Sequence, residues 1–150
     1  MIRAIELRYF AIDLYIKLNK KKIILFASGS GSNFEEICKY FKEKKQIVIE
    51  LLICNNSKAK AIKKAKKHGV KTLLINRESF YKTNTTLNRI LKINPDLIVL
   101  AGFLWKIPVK IIDSFPNKII NIHPALLPDY GGKGMYGINI HKAVIENNER

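Results

Sequence analysis

Apolar residues recur along this chain at two different spacings. Residues 22–27, Lys-Ile-Ile-Leu-Phe-Ala, form a short continuous apolar run closed by a Gly/Ser cluster, the pattern of a strand buried on both faces. Asn33 is placed to cap a helix over residues 34–45, in which Phe34, Ile37, Cys38 and Phe41 recur at helical spacing. Residues 47–54 predict a second strand, and 58–68 a lysine-rich amphipathic helix stopped by Gly69. A short third strand is expected at 71–75, a helix over 81–93 with Pro95 marking its end, and a fourth strand at 96–101. Residues 108–114 predict a short helix and 118–122 a fifth strand that delivers His123 at its carboxyl end. A glycine-rich loop at 129–137 and a last helix at 138–147 complete the pattern.

Such an alternation specifies an α/β fold: a doubly wound, mostly parallel, Rossmann-like sheet with right-handed crossovers. Ligands in open sheets of this kind bind beyond the carboxyl ends of the strands. Three polar clusters fall at such ends, residues 28–33, 101–107 and 121–130, so the topology brings them to one edge. Residues 1–20 carry a weak mixed pattern and no motif, and are expected to be an N-terminal extension of unclear role ahead of one domain at 21–150.

Composition narrows the class. A chain of 150 residues with 47% hydrophobic content supports one core. No stretch approaches the roughly 18 consecutive apolar residues of a membrane span, and Glu6, Arg8 and Asp13 interrupt any signal-peptide core, so neither a membrane nor secretion is expected. Cys38 and Cys54 lie far apart with no Cys-x-x-Cys and no neighbouring His, which argues against a zinc site or a disulfide framework. They suit reduced packing thiols in a cytoplasmic protein that uses no metal.

The formal charge of +15 invites a nucleic-acid partner, because clustered Lys and Arg release counterions from phosphates. The excess is mostly lysine spread along the chain, with heavy use of Ile and Asn, and A/T-rich codons account for that combination. No specific nucleic-acid partner is expected, although the helix at 58–67 offers a surface for sequence-blind binding. An anionic small substrate would benefit from the same field.

Ser28-Gly29-Ser30-Gly31-Ser32-Asn33 follows a buried strand and opens a helix, so backbone N–H groups and the helix dipole can face a phosphate. Phe34 stands at the third glycine position of the dinucleotide fingerprint, no acidic residue ends the second strand, and no Gly-Lys-Ser/Thr is present. A ligand-free turn capped by Asn33 is the alternative for this loop.

In Asn121-Ile122-His123-Pro124-Ala125-Leu126-Leu127-Pro128, two residues apart on a strand end put Asn121 and His123 on one side. An amide donor for a developing oxyanion beside an imidazole that titrates near neutrality is the pair that acyl transfer to an amine requires. The nucleophile would be the substrate's own amine, as the motif holds no activated Ser or Cys. A lone Asn-x-His could also be a turn residue and a histidine bonded to a backbone carbonyl. His68 and His141 are expected to be structural.

With these two motifs and Leu100-Ala101-Gly102-Phe103 between them, the chain resembles the glycinamide ribonucleotide formyltransferase family from about residue 22 onward. Leu51-Leu52-Ile53-Cys54-Asn55-Asn56 also matches that family's second strand. The resemblance implies a formyl transfer from 10-formyltetrahydrofolate, as co-substrate, to the amine of glycinamide ribonucleotide in purine synthesis. Carried over by position, Gly31, Ser32 and Asn33 hold the substrate phosphate, and Leu104, Trp105, Lys106, Ile107 and Asn121 line the folate pocket. Asn121 binds the formyl oxygen, and His123 acts as general acid and oxyanion stabiliser.

Two related families are weighed. Methionyl-tRNA formyltransferases share the His-x-x-Leu-Leu-Pro region but have a different first loop, and formyltetrahydrofolate deformylases usually carry a second His where Pro124 stands.

The resemblance also implies a catalytic Asp a few dozen residues after the Asn-x-His pair, and Arg150 precedes that position; Asp113 and Asp129 do not match it. Without a carboxylate the imidazole pKa is not raised. The expectation is therefore a C-terminally truncated fold with an uncovered sheet edge. Such a chain is either slow, dependent on a C-terminal fragment in trans, or a binding remnant without turnover.

Overall fold

The structure is a computed structural model that describes residues 20–122 together with Lys142, Ile145 and Glu146. Five parallel strands form one sheet: β1 (Lys21–Ala27), β2 (Ile47–Cys54), β3 (Lys71–Leu74), β4 (Leu97–Ala101) and β5 (Ile119–Ile122), in the order β3-β2-β1-β4-β5. The helices are α1 (Ser32–Phe41), α2 (Lys60–Lys67), α3 (Thr85–Ile93) and α4 (Val109–Ser114), with a π-helical turn at Glu78–Lys82. The doubly wound parallel architecture read from the sequence is the one observed.

Strand alternation divides the core in two. Ile23, Leu25 and Ala27 of β1 pack with Phe34 and Cys38 of α1 and Ala61 and Ala65 of α2 on one face. Ile24 and Phe26 point the other way, against Phe80 of the π turn, Ile90 of α3 and Ile111 of α4. Ile24, Leu25 and Phe26 are fully buried, and each such side chain contributes roughly 1.5–3 kcal/mol. Glu50, the one charged residue of β2, falls at a register shift: Ile23 pairs with Ile49 and Ile24 with Leu51.

Four local expectations are corrected. Asn33 is not the cap of α1: the helix starts at Ser32, and Gly31 holds the cap position at φ 66° with no side-chain cap bond. The helix ends at Phe41 rather than at residue 45, because its apolar spacing stops there and the polar segment turns through Lys44 N–H→Phe41 O and Ile47 N–H→Lys44 O. The helix expected over 81–93 is broken. Thr83 is extended at φ −106°, ψ 173°, so Tyr81 belongs to the π turn and α3 begins at Thr85. Asn94 in the left-handed region at φ 49°, rather than Pro95, ends α3.

Gly69 does stop α2: at φ 69° it donates to Lys66 O while Val70 donates to Ala65 O, the paired bonds of a Schellman end. Of the last expected helix, Lys142, Ile145 and Glu146 are helical. The loop at 129–137 and His141 lie outside the described residues. Among the described residues no helix is long and apolar enough to cross a membrane.

Candidate active site

The chain runs outward from β1 to β2 and β3, then returns to place β4 and β5 on the opposite side of β1. The direction reverses between β1 and β4, and the crevice of an open sheet lies beyond the carboxyl ends of such a pair. Two of the three polar clusters leave from that point. Ser28 joins them: its N–H donates to Gly102 O at 3.0 Å, and its hydroxyl oxygen accepts the Leu104 N–H at 2.9 Å. Its own carbonyl accepts from the Asn56 side chain at 3.3 Å, tying in the end of β2.

The loop after β1 is shaped by close backbone approach. A Cβ on Gly31 would lie 2.7 Å from both Cα and Cβ of Ala61, so this left-handed position admits only glycine. Ala61 N–H donates to Gly29 O at 3.1 Å, locking the loop onto α2. Gly31 is buried, whereas Ser32 and Asn33 are exposed in the first turn of α1, where N–H groups lack intrahelical acceptors and the dipole is positive.

Glu35 in that same turn would repel an anion, but Lys64 Nζ lies 2.8 Å from its Oε2 and donates to Gly31 O at 3.4 Å. Lys67 stands 4.0 Å from the other oxygen. Lys64 holds the Glu35 carboxyl below its ordinary value, so the lysines neutralise the only acid of the turn.

The loop after β4 lies on the other face of the sheet. Phe103 packs edge-on to Phe26 with centroids 5.0 Å apart, and Trp105 sits 5.9 Å from the rings of both Phe80 and Tyr81. Ile107 is buried, Trp105 partly so, and Leu104 and Lys106 are exposed. Arg77 lies over the Trp105 ring at 5.1 Å. Gly102, at φ 76°, turns the chain out of β4.

Asn121 pairs in register with Leu100 of β4, which pairs with Phe26 of β1. Residues in register share a face, so Asn121 is on the side of Phe26, Phe103 and Trp105. It is exposed at the end of β5. His123 lies outside the described residues. The structure thus sets Gly31, Ser32 and Asn33, the segment Leu104, Trp105, Lys106 and Ile107, and Asn121 along one edge of adjacent strands.

Spacing and composition gave no sign of Ser28 as a fastener, of Asn56 as its support, of Lys64 on Gly31 and Glu35, or of Tyr81 beside the β4 loop, since all four act through contacts distant in sequence. A groove of about 540 Å³ walled by Cys38, Phe41, Ile47, His68 and Val70 lies at the opposite, amino-terminal edge of the sheet, away from these loops.

A doubly wound parallel sheet with a glycine-turned helix start on one side of its switch point and an aromatic-backed loop on the other is a Rossmann-like α/β fold. The chain belongs to the formyl transferase family, whose model matches residues 21–150. The chloroplastic phosphoribosylglycinamide formyltransferase of Arabidopsis thaliana is 37% identical over 139 residues, 87% of this chain and 47% of its own length. That of Vigna unguiculata is 34% identical over 142 residues, 90% of this chain and 45% of its own. The crystal structure of glycinamide ribonucleotide transformylase 1 from Geobacillus kaustophilus aligns at TM-score 0.71 and 31% identity, covering 83% of this chain and 68% of that one. The chain spans about half the length of the two plant relatives.

Proposed function

We propose that this protein transfers the formyl group of 10-formyltetrahydrofolate to the amine of glycinamide ribonucleotide, through residues 21–150 acting as one domain behind an N-terminal extension at 1–20. The observation that carries the proposal is the meeting of three elements at the carboxyl edge of β1, β4 and β5: the helix start at Gly31, the loop of residues 104–107, and Asn121. The family match and the names of the relatives support the same reaction.

The proposed chemistry gives these residues the roles that the resemblance implies. Ser32 and Asn33 receive the phosphate on one face of the sheet, while Leu104, Trp105, Lys106 and Ile107 receive the folate on the other. The substrate amine attacks the formyl carbon at the edge between them, and the Asn121 amide donates to the oxygen as it gains charge. The carbon's bond to the folate nitrogen then breaks. His123 carries the proton from the incoming amine to that leaving nitrogen, so the reaction is balanced without a metal.

Cytoplasm is the proposed compartment; the two plant relatives are chloroplastic by name. No specific nucleic acid is proposed as a partner.

The test is formyl transfer by the purified 150-residue chain, alone and with His123→Ala. Turnover that the substitution abolishes supports the assignment. Binding of the ribonucleotide with no turnover would instead make the chain an inactive binder.

A further inference from the structure

The π turn at Glu78–Lys82 takes up the start of what the sequence presents as one helix over 81–93, and its side chains reach toward the loop after β4. The Tyr81 hydroxyl donates to the Lys106 carbonyl at 3.0 Å, across 25 residues of sequence. Its ring lies beside Trp105, and Phe80 backs the same indole. Lys110, at the start of α4, steadies the turn from below: its ammonium donates to the carbonyls of Thr83 and, at 3.3 Å, Tyr81. The Asn84 side-chain oxygen lies 3.4 Å from the same ammonium. Two backbone carbonyls, one in the π turn and one at the break, are therefore held by one charge.

A trans peptide points its C=O and the following N–H in opposite directions. With the Lys106 carbonyl fixed on Tyr81, the Ile107 N–H is turned away from the π turn, and it has no acceptor among the described residues. The hydroxyl thus sets the plane of the peptide at the centre of the segment assigned to folate.

We propose that Tyr81 is a positioning residue for the formyl donor: its hydroxyl fixes the Lys106–Ile107 peptide, and Lys110 fixes Tyr81. The proposal rests on the folate assignment of residues 104–107. Tyr81 itself need not touch the ligand. A heterocycle recognised by backbone groups requires those groups to be held before it arrives, because ordering them afterwards subtracts from affinity. A helix continuous from residue 81 would not hold the turn in this arrangement, which gives the break at Thr83 its purpose.

Trp105 is the only tryptophan of the chain, so its emission reports on this loop directly. The experiment is a fluorescence titration of the 150-residue chain with 5-formyltetrahydrofolate as probe, and in parallel a calorimetric titration with glycinamide ribonucleotide. It is run for wild type, Tyr81→Phe, Lys110→Met and Lys110→Arg.

Tyr81→Phe keeps the ring and removes one hydrogen bond, so folate affinity should fall about 3- to 10-fold while ribonucleotide affinity and Tm stay as they were. Lys110→Met should show the same selective loss, and Lys110→Arg should restore it. Unchanged folate affinity in Tyr81→Phe overturns the proposal. So does an equal loss for both ligands with a lowered Tm, which would mark Tyr81 as a fold residue only. Wild type that binds the ribonucleotide but not the folate probe overturns the folate assignment itself, and the positioning role with it.

Discussion

The hydroxyl oxygen of Ser28 accepts the Leu104 N–H at 2.9 Å, and the Ser28 N–H donates to Gly102 O, so one residue fastens the loop after β1 to the loop after β4. Ser28 is buried, at 5% exposure. Replacing it by alanine leaves the Leu104 N–H without its acceptor, at a cost of about 1–3 kcal/mol. The Ser28→Ala chain is predicted to unfold at lower urea and to bind both ligands more weakly. A midpoint equal to wild type would show that the bond carries no stability.

Gly31→Ala combines a left-handed backbone with a 2.7 Å collision against Ala61. The strain of a non-glycine residue in that region is on the order of 1–3 kcal/mol, before any shift of α2. Phosphate affinity should be lost along with stability. Adding Ala61→Gly removes the methyl group from the collision but not the Ala61 Cα at the same distance, so thermal melts of the double variant should recover only part of the loss.

Acid sensitivity follows from Glu35. Lys64 holds its folded pKa below the ordinary value of 4.5. A depressed carboxyl contributes stability that is complete above its unfolded pKa and disappears as pH falls through the folded one. Glu35→Gln should therefore flatten the decline in Tm below about pH 4.5, and high salt should do less, since the pair is largely shielded by α1 and α2. A wild-type melt with the same acid limb as Glu35→Gln would remove Glu35 from the account.

Burial, with Glu35 nearby, pushes the Cys38 thiol up to about 11, and burial also raises Cys54. Both are free and buried. The thiolate is the reactive form, so at pH 8 the native chain should react with Ellman's reagent far more slowly than the chain in guanidinium. Fast native labelling of Cys38 would mean that α1 opens readily.

The strands were readable because a doubly covered parallel sheet demands continuous apolar runs, and β2 at Ile47–Cys54 matches its sequence expectation at both ends. Helix boundaries were less so. Tyr81, Leu87 and Ile90 are all apolar enough to suggest one helix, yet Thr83 is extended and its carbonyl accepts from Lys110, 27 residues away. Asn33 carries the composition of a cap, but the close approach of Gly31 to Ala61 starts the helix one residue sooner. Three motifs at strand ends were read as the candidate site, and their described residues, as far as Asn121, fall along one edge of the sheet. Their stitching through Ser28, Asn56 and Tyr81 was not legible, because each bond joins residues that no local pattern relates.

The division of the sheet into two faces has a consequence for how such a protein can diversify. The loop on α1 and the loop backed by Phe26 and Phe80 are built from different sets of core side chains, and meet through Ser28 at the edge. Substitutions that reshape the loop on α1 fall in a separate packing neighbourhood from those that reshape the loop after β4. One loop can change while the other keeps its shape, provided that the fastening serine and the glycine behind it are left alone.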